Sequence, residues 1–342
     1  MGPAARGNVR VKRPAMSPFP KLRLSCWAVA ASVFVIGATG YAQSGPIQFS
    51  PNEKRAHPGI SVSTELVLLP VSVTDQDGNF VPGLTRQDFQ VYEDKQLQEI
   101  AFFQEQDMPV TVGLIVDHSS SMAGKLEDVA AAVSAFAHSS NPRDEMFVVD
   151  FGDSVSVELL GGKPFTNDPS ELEKAVAMVS ANGQTALYDA VAEGFVHLEL
   201  GQWEKKALII VSDGGDNVSR RKYSQILAMA RGSGAVIYAI GLVGLRAEEE
   251  NPKVLKRLCK DTGGVAFFPP KGESIIKVSE QIARDLREQY TLGYVPDESR
   301  GTDSYRTIDV RVAAHGQEKI NVRARRGYSF SKHPAAKPSG GA

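Results

Sequence analysis

Between Val110 and Glu288 the chain alternates short, wholly apolar runs with longer segments whose apolar residues recur at helical spacing, and few architectures accept that rhythm. The runs Val112-Gly113-Leu114-Ile115-Val116, Met146-Phe147-Val148-Val149, Ala207-Leu208-Ile209-Ile210-Val211 and Val236-Ile237-Tyr238-Ala239-Ile240 have no wet face. They read as strands buried on both sides. Between them, Leu126, Val129, Ala130, Val133, Phe136 and Ala137 mark the apolar stripe of a helix, and further helices are expected over 170–179, 187–198, 223–231, 252–259 and 273–288. Strand and helix in alternation predict an α/β fold, a doubly wound and mostly parallel sheet with helices on both faces.

On either side of this region, residues 108–288, the pattern turns to strands alone. Ahead of it lie 64–74, closed by the turn Asp75-Gln76-Asp77-Gly78-Asn79, then 88–93 and 99–103; behind it lie 289–295, 307–312 and 319–323. Neither set is large enough to form a core by itself. The expectation is one β-sandwich built by residues 60–107 together with 289–330, with the α/β domain inserted between them. The Asp75, Asp77, Asn79 spacing resembles a calcium loop, but its glycine falls out of place and Arg86 stands where the closing acid belongs, so a hairpin turn is the better reading.

Residues 1–42 hold Arg6, Arg10, Lys12, Arg13, Lys21 and Arg23, no acidic residue, and an apolar run from Trp27 to Ala38 followed by Gly40-Tyr41-Ala42. This is the pattern of a signal peptide cleaved after Ala42, and it predicts an exported protein, in the periplasm, on the outer surface or in the medium. The run falls short of the roughly 20 residues a spanning helix needs; membrane association is expected only if the segment stays uncleaved. Residues 43–59 read as a linker and 331–342 as a disordered tail. Cleavage removes six of the 38 basic residues and none of the 40 acidic ones, leaving a net charge of −8. A phosphate-neutralising nucleic-acid binder is thereby disfavoured. Arg306, Arg311, Lys319, Arg323, Arg325 and Arg326 cluster near the end, and their alternation with apolar residues reads as a solvated sheet face. Cys26 precedes the apolar run, which argues against lipidation there. Cys259 is then the one cysteine left, expected as a half-buried thiol on a helix.

The residues that carry chemistry stand where the first buried strand ends, in Asp117-His118-Ser119-Ser120-Ser121. In an open α/β sheet, ligands bind outside the carboxyl ends of the strands, where the strand order reverses. Asp, Ser and Ser at alternating positions can turn one carboxylate and two hydroxyls toward a common point, the hard oxygen donors that Mg²⁺ prefers. An Asp-Ser run is also ordinary capping chemistry ahead of the helix that begins near Lys125. Two further donors shift the balance toward a metal site: Thr185, in Gly183-Gln184-Thr185-Ala186-Leu187, opens a helix, and Asp213, in Val211-Ser212-Asp213-Gly214-Gly215, ends a buried strand. Asp189 fits either a supporting role or a solvated helix face, and Asp216 and Asn217 read as loop formers. His118 has no second His or Cys at ligand spacing, and its place in the alternation predicts an exposed side chain.

Asp-x-Ser-x-Ser on one strand, a Thr before a helix and an Asp after a strand resemble the metal-ion-dependent adhesion site of the von Willebrand factor type A family. The resemblance implies a Rossmann-like domain in which Ser119 and Ser121 coordinate Mg²⁺ directly, Asp117, Thr185 and Asp213 bind directly or through water, and Mn²⁺ or Ca²⁺ serve as substitutes. The open sixth position would take an Asp or Glu carboxylate from a partner protein, as in cell adhesion. Integrin β subunits add an acidic pair that binds a neighbouring ion; here Ala123-Gly124-Lys125 occupies that stretch. The flanks Val73-Thr74-Asp75-Gln76-Asp77-Gly78, Leu84-Thr85-Arg86-Gln87-Asp88-Phe89, Val91-Tyr92-Glu93-Asp94 and Gln289-Tyr290-Thr291-Leu292-Gly293-Tyr294 are similar to a family of such proteins common in Acidobacteria. With no Gly-rich phosphate loop, positioned Lys or general base in view, the expectation is a binding protein without a catalytic residue. A metal-assisted hydrolase and a structural part of an envelope assembly are the alternatives.

Overall fold

The computed structural model describes residues 66–330 apart from 106, 158, 178–179, 243–249, 271–272, 298–303 and 314–318. The assignments of signal peptide, linker and tail lie outside the described residues. In chain order, β1 (Val67–Thr74), β2 (Phe89–Glu93), β3 (Gln96–Gln98) and β4 (Phe102–Gln104) lead into the α/β part. That part comprises β5 (Thr111–Asp117), α1 (Leu126–Ser139), β6 (Glu145–Phe151), β7 (Val155–Val157), α2 (Pro169–Ala177), α3 (Leu187–Leu198), β8 (Lys206–Ser212), α4 (Tyr223–Ser233), β9 (Val236–Gly241), α5 (Pro252–Thr262), β10 (Ala266–Phe267) and α6 (Glu273–Arg287). Then follow β11 (Tyr290–Tyr294), β12 (Ser304–Val312), β13 (Asn321–Arg323) and β14 (Gly327–Phe330).

The central sheet has the order β10-β9-β8-β5-β6-β7, parallel except for β7, which pairs antiparallel with β6 at the edge. Every residue of β5 is buried, as its unbroken apolar run requires of a central strand covered on both faces. Val112, Leu114 and Val116 pack with α1, α2 and α6 on one face; Ile115 packs with α3, α4 and α5 on the other. The chain goes from β5 to β6 on one side and returns to β8 on the other, which puts the reversal of strand order at the carboxyl ends of β5 and β8. Among the described residues no helix is long and apolar enough to cross a membrane.

The flanking strands interleave. β1 pairs with β11 and β13, and β11 with β4, in one antiparallel sheet; β12 pairs with β14 and β2, and β2 with β3, in another. Leu69, Val71, Val73, Phe89, Val91, Tyr290, Leu292, Tyr294 and Ile308 form a single core between them. Strands from the two ends of the described chain therefore complete one another, and the α/β domain is an insertion, as expected. The turn after β1 is a hairpin: Asp75 accepts the N–H groups of Asp77 and Asn79 at 2.9 and 2.8 Å, and Phe80 bridges back to Thr74.

Two expectations need correction. The basic residues near the end are not uniformly a wet face: Arg306 is 1% exposed and pairs with Glu93 at 2.9 Å, Arg323 pairs with Asp285 at 2.7 Å, and Arg325 is buried and donates to the Arg231 carbonyl at 2.7 Å. Arg306 shares the strand parity of buried Ile308, so the alternation in β12 points it inward, whereas Arg311 on the opposite parity is exposed. Cys259, on α5, is fully rather than half buried, and burial pushes its thiol pKa far above the ordinary range.

Candidate metal centre

Asp117 is the last residue of β5 and is wholly buried. Its Oδ1 accepts the Ser119 N–H at 2.9 Å and its Oδ2 accepts the Ser212 hydroxyl at 2.6 Å. Burial pushes its carboxyl pKa up to about 6; the bonds from Ser119 and Ser212 pull the other way, and the negative charge of Asp213 adds to the rise. Ser119 and Ser121 lie with their hydroxyl oxygens 3.1 Å apart. Neither motif side chain is spent on capping: α1 has Lys125 at its N-cap position, and Ser119 heads only the short 3₁₀ turn Ser120–Met122, without a side-chain cap bond in either place. The capping alternative for this motif therefore fails.

The other two segments are held against this loop through the backbone. Asn182 N–H donates to the His118 carbonyl at 3.0 Å and Ser120 N–H to the Gly183 carbonyl at 3.1 Å, so the loop carrying Thr185 runs alongside residues 118–120. Thr185 is itself fixed by Asn217, whose Oδ1 accepts the Thr185 N–H at 2.8 Å and whose N–H donates to the Thr185 carbonyl at 2.9 Å. Asp216 accepts the Tyr188 N–H at 3.0 Å, at the N-terminus of α3, and Asp189 accepts the N–H groups of Arg220 and Arg221. Asp189, Asp216 and Asn217 thus brace the loop between β8 and α4 against α3. Asp213, just past β8, is 1% exposed; its Oδ1 accepts the Gly215 N–H at 3.1 Å, and its Oδ2 lies 3.4 Å from the Lys125 ammonium.

The donor set suits a hard divalent cation. Two buried carboxylates and a hydroxyl pair gather hard oxygen donors at one sheet edge, and the uncharged hydroxyls would leave an ion bound there electrophilic. Among the described residues no group of three or more His, Cys, Asp and Glu could hold a metal, so any ion here depends on the Ser and Thr oxygens.

Several residues of the site were not foreseen. Ser212 adjoins Asp213 in the sequence, and a hydroxyl on the strand next to β5 was the signal available. Glu250, whose carboxylate also lies 3.4 Å from the Lys125 ammonium, stands 125 residues from that lysine, and no local pattern marks it. His118 is buried, not exposed, with Nδ1 against the Asp150 carboxylate. The His118 backbone N–H donates to the Phe151 carbonyl at 2.8 Å, extending the β5–β6 ladder by one residue and setting the imidazole against β6.

Residues 112–215 match the family model of the von Willebrand factor type A domain, and the sheet order and helix layers are those of a von Willebrand factor A-like α/β fold. No curated protein matches the chain. Solved structures similar to it include a von Willebrand factor type A protein from Catenulispora acidiphila, at 12% identity over 79% of this chain and 75% of that one, with a TM-score of 0.48. The conserved hypothetical protein BatB from Bacteroides thetaiotaomicron is 17% identical over 52% of this chain and 98% of its own, with a TM-score of 0.42. The PilB minor pilin of Streptococcus sanguinis, solved as a point variant, is 13% identical over 54% and 63%, with a TM-score of 0.43.

Proposed function

We propose that this chain is an exported interaction module that captures an Asp or Glu carboxylate of a partner protein at a divalent ion held by Asp117, Ser119, Ser121, Thr185 and Asp213, a metal-ion-dependent adhesion site. The observation that supports it is the meeting of three segments, far apart in sequence, at the β5–β8 switch point, with oxygen-bearing side chains that do not cap α1. When bound, Mg²⁺, or Mn²⁺ or Ca²⁺ in its place, supplies a hard electrophilic position to which a partner carboxylate adds. The protein's own share is positional. Ser212 and the Ser119 N–H hold the Asp117 carboxylate, Asn217 holds the Thr185 backbone, and the Gly215 N–H holds Asp213. The basic, acid-free residues 1–42 support export to the periplasm, the outer surface or the medium. The five side chains gather oxygen donors toward one point, and this favours capture of a carboxylate over turnover as the reading.

The test is a pull-down from the native cell envelope, with Mg²⁺ or with EDTA, comparing wild type with Asp117→Ala and Ser119→Ala. A partner retained in Mg²⁺, released by EDTA and absent from both variants, with the variants still folded, is the expected result. Partners that all bind equally well in EDTA would overturn the proposal.

A further inference from the structure

Lys125 ends the metal loop and precedes α1, yet its side chain does not go to solvent. It is 12% exposed and crosses to the carboxyl end of β8, where Nζ stands 3.4 Å from Asp213 Oδ2 and 3.4 Å from Glu250 Oε1, carboxylates whose side chains are 1% and 5% exposed. Of the two oxygens of Asp213, one accepts a backbone N–H and the other faces this ammonium. The chain therefore supplies its own cation to a carboxylate of the proposed metal site.

We propose that Lys125 is the residue that sets the metal affinity of the site, its ammonium competing with the divalent ion for Asp213 while Glu250 anchors it beside that position. The inference rests on the metal-site reading above and adds Lys125 and Glu250 to it. A divalent ion drawing on Asp213 Oδ2 has to share that oxygen with a positive charge in a water-poor setting, where like charges repel far more than in bulk water. Binding is then coupled to withdrawal of Lys125 from Asp213. Glu250 makes the withdrawal short, because the ammonium that leaves one carboxylate already lies against a second. Replacing the ammonium with a neutral chain removes the competitor and leaves Asp213 without its cation, so the metal-free protein loses stability while the metal binds more tightly.

Calorimetric titration of MnCl₂ and MgCl₂ into EDTA-stripped, dialysed full chain tests this on wild type, Lys125→Met, Asp213→Asn and the double variant. Lys125→Met is expected to bind at least about tenfold more tightly than wild type. It should also melt at a lower temperature in EDTA and show a larger metal-induced rise in Tm. Asp213→Asn should abolish the tight binding in both backgrounds, which locates the ion. Lys125→Gln, which keeps a donor toward Asp213, takes the place of Lys125→Met should that variant not fold. If wild type binds metal and neither neutral variant binds it more tightly, the competition is overturned and the metal site stands. If neither wild type nor the neutral variants bind metal at millimolar concentration, both fall.

Discussion

The Ser212 hydroxyl donates to Asp117 Oδ2 at 2.6 Å, tying the last residue of β8 to the last residue of β5, side chain to side chain, at the point where the strand order reverses. Asp117 has no exposed surface, and burial already pushes its pKa up to about 6. A buried carboxylate that loses a donor bears an uncompensated desolvation cost. Ser212→Ala is therefore expected to destabilise the metal-free protein by about 1–3 kcal/mol in urea titration. If Mg²⁺ binds at the proposed site, where Ser212 would position a ligand without being one, the variant should keep most of the rise in Tm at saturating Mg²⁺. Loss of the whole metal-induced shift would make Ser212 a ligand instead.

Gly214 controls Asp213 from the other side. It has φ of +84°, and a Cβ there would lie 2.6 Å from the Asn251 carbonyl oxygen, on the residue whose N–H donates to the Asp213 carbonyl at 3.2 Å. Gly214→Ala brings the left-handed strain of about 1–2 kcal/mol together with a backbone collision that displaces Asp213. The expected result is lower stability and weaker Mg²⁺ binding. Gly78→Ala is the matched control: φ there is +85° but nothing lies within 4 Å of the added Cβ. It should show the strain alone, with metal affinity unchanged by calorimetry.

What could be read from the sequence follows from how far each physical signal reaches. The central strands were legible because β5 and β9, and β8 beyond Lys206, are buried and so carry unbroken apolar runs between their ends, and α3 is bounded by its own apolar stripe from Leu187 to Leu198. β7, β10 and β3 are two or three residues long and lean on a neighbour's ladder, which leaves them without a periodic signature of their own. Of the site, the motif on β5, the Thr before α3 and the Asp after β8 could be placed at one sheet edge from topology alone. Lys125, Glu250 and the burial of His118 could not, because each depends on a side chain crossing between segments brought together only by the fold. Arg306 is an intermediate case: its strand parity pointed inward, but a charged residue is so rarely buried unless paired that the partner, Glu93, had to be seen first.

Asp144 gives the metal-free protein a pH dependence of known sign. Its carboxylate accepts the N–H groups of Val110 and Asn141 at 2.8 and 3.0 Å, and burial, with the charge of Asp107 adding and Lys205 opposing, pushes its pKa up to about 6 from the unfolded 3.8. A folded-state pKa above the unfolded one means that the native state holds the proton more tightly in that interval. The contribution to stability is therefore complete below about pH 4 and is lost as pH rises through about 6, an effect of up to roughly 3 kcal/mol. Urea titrations in EDTA at several pH values across this range should show wild-type stability falling more steeply than that of Asp144→Asn, which cannot titrate. Parallel curves would mean that Asp144 is ionised throughout.

One buried charge cluster bridges the two outer sheets beside their shared apolar core. Glu93 on β2 accepts Arg306 Nη1 at 2.9 Å from β12 in its own sheet, the Tyr294 hydroxyl at 2.5 Å from β11 in the facing sheet, and the Tyr328 hydroxyl at 2.8 Å from β14. Both charged residues are about 1% exposed or less. Removing only the cation leaves a buried carboxylate with its tyrosine donors but without its positive partner, and Arg306→Met is expected to cost about 3–5 kcal/mol. Removing both charges at once, in Arg306→Met with Glu93→Gln, leaves an amide that the two tyrosine hydroxyls can still bond, and should restore a large part of that loss. The double-mutant cycle in urea measures the difference. Because β1, β2 and β4 pair with strands from beyond α6, the same variant should expose residues on both sides of the inserted domain to hydrogen exchange together, while the central sheet stays protected longer. Exchange confined to β12 would instead mean that the cluster stabilises one strand and does not join the sheets.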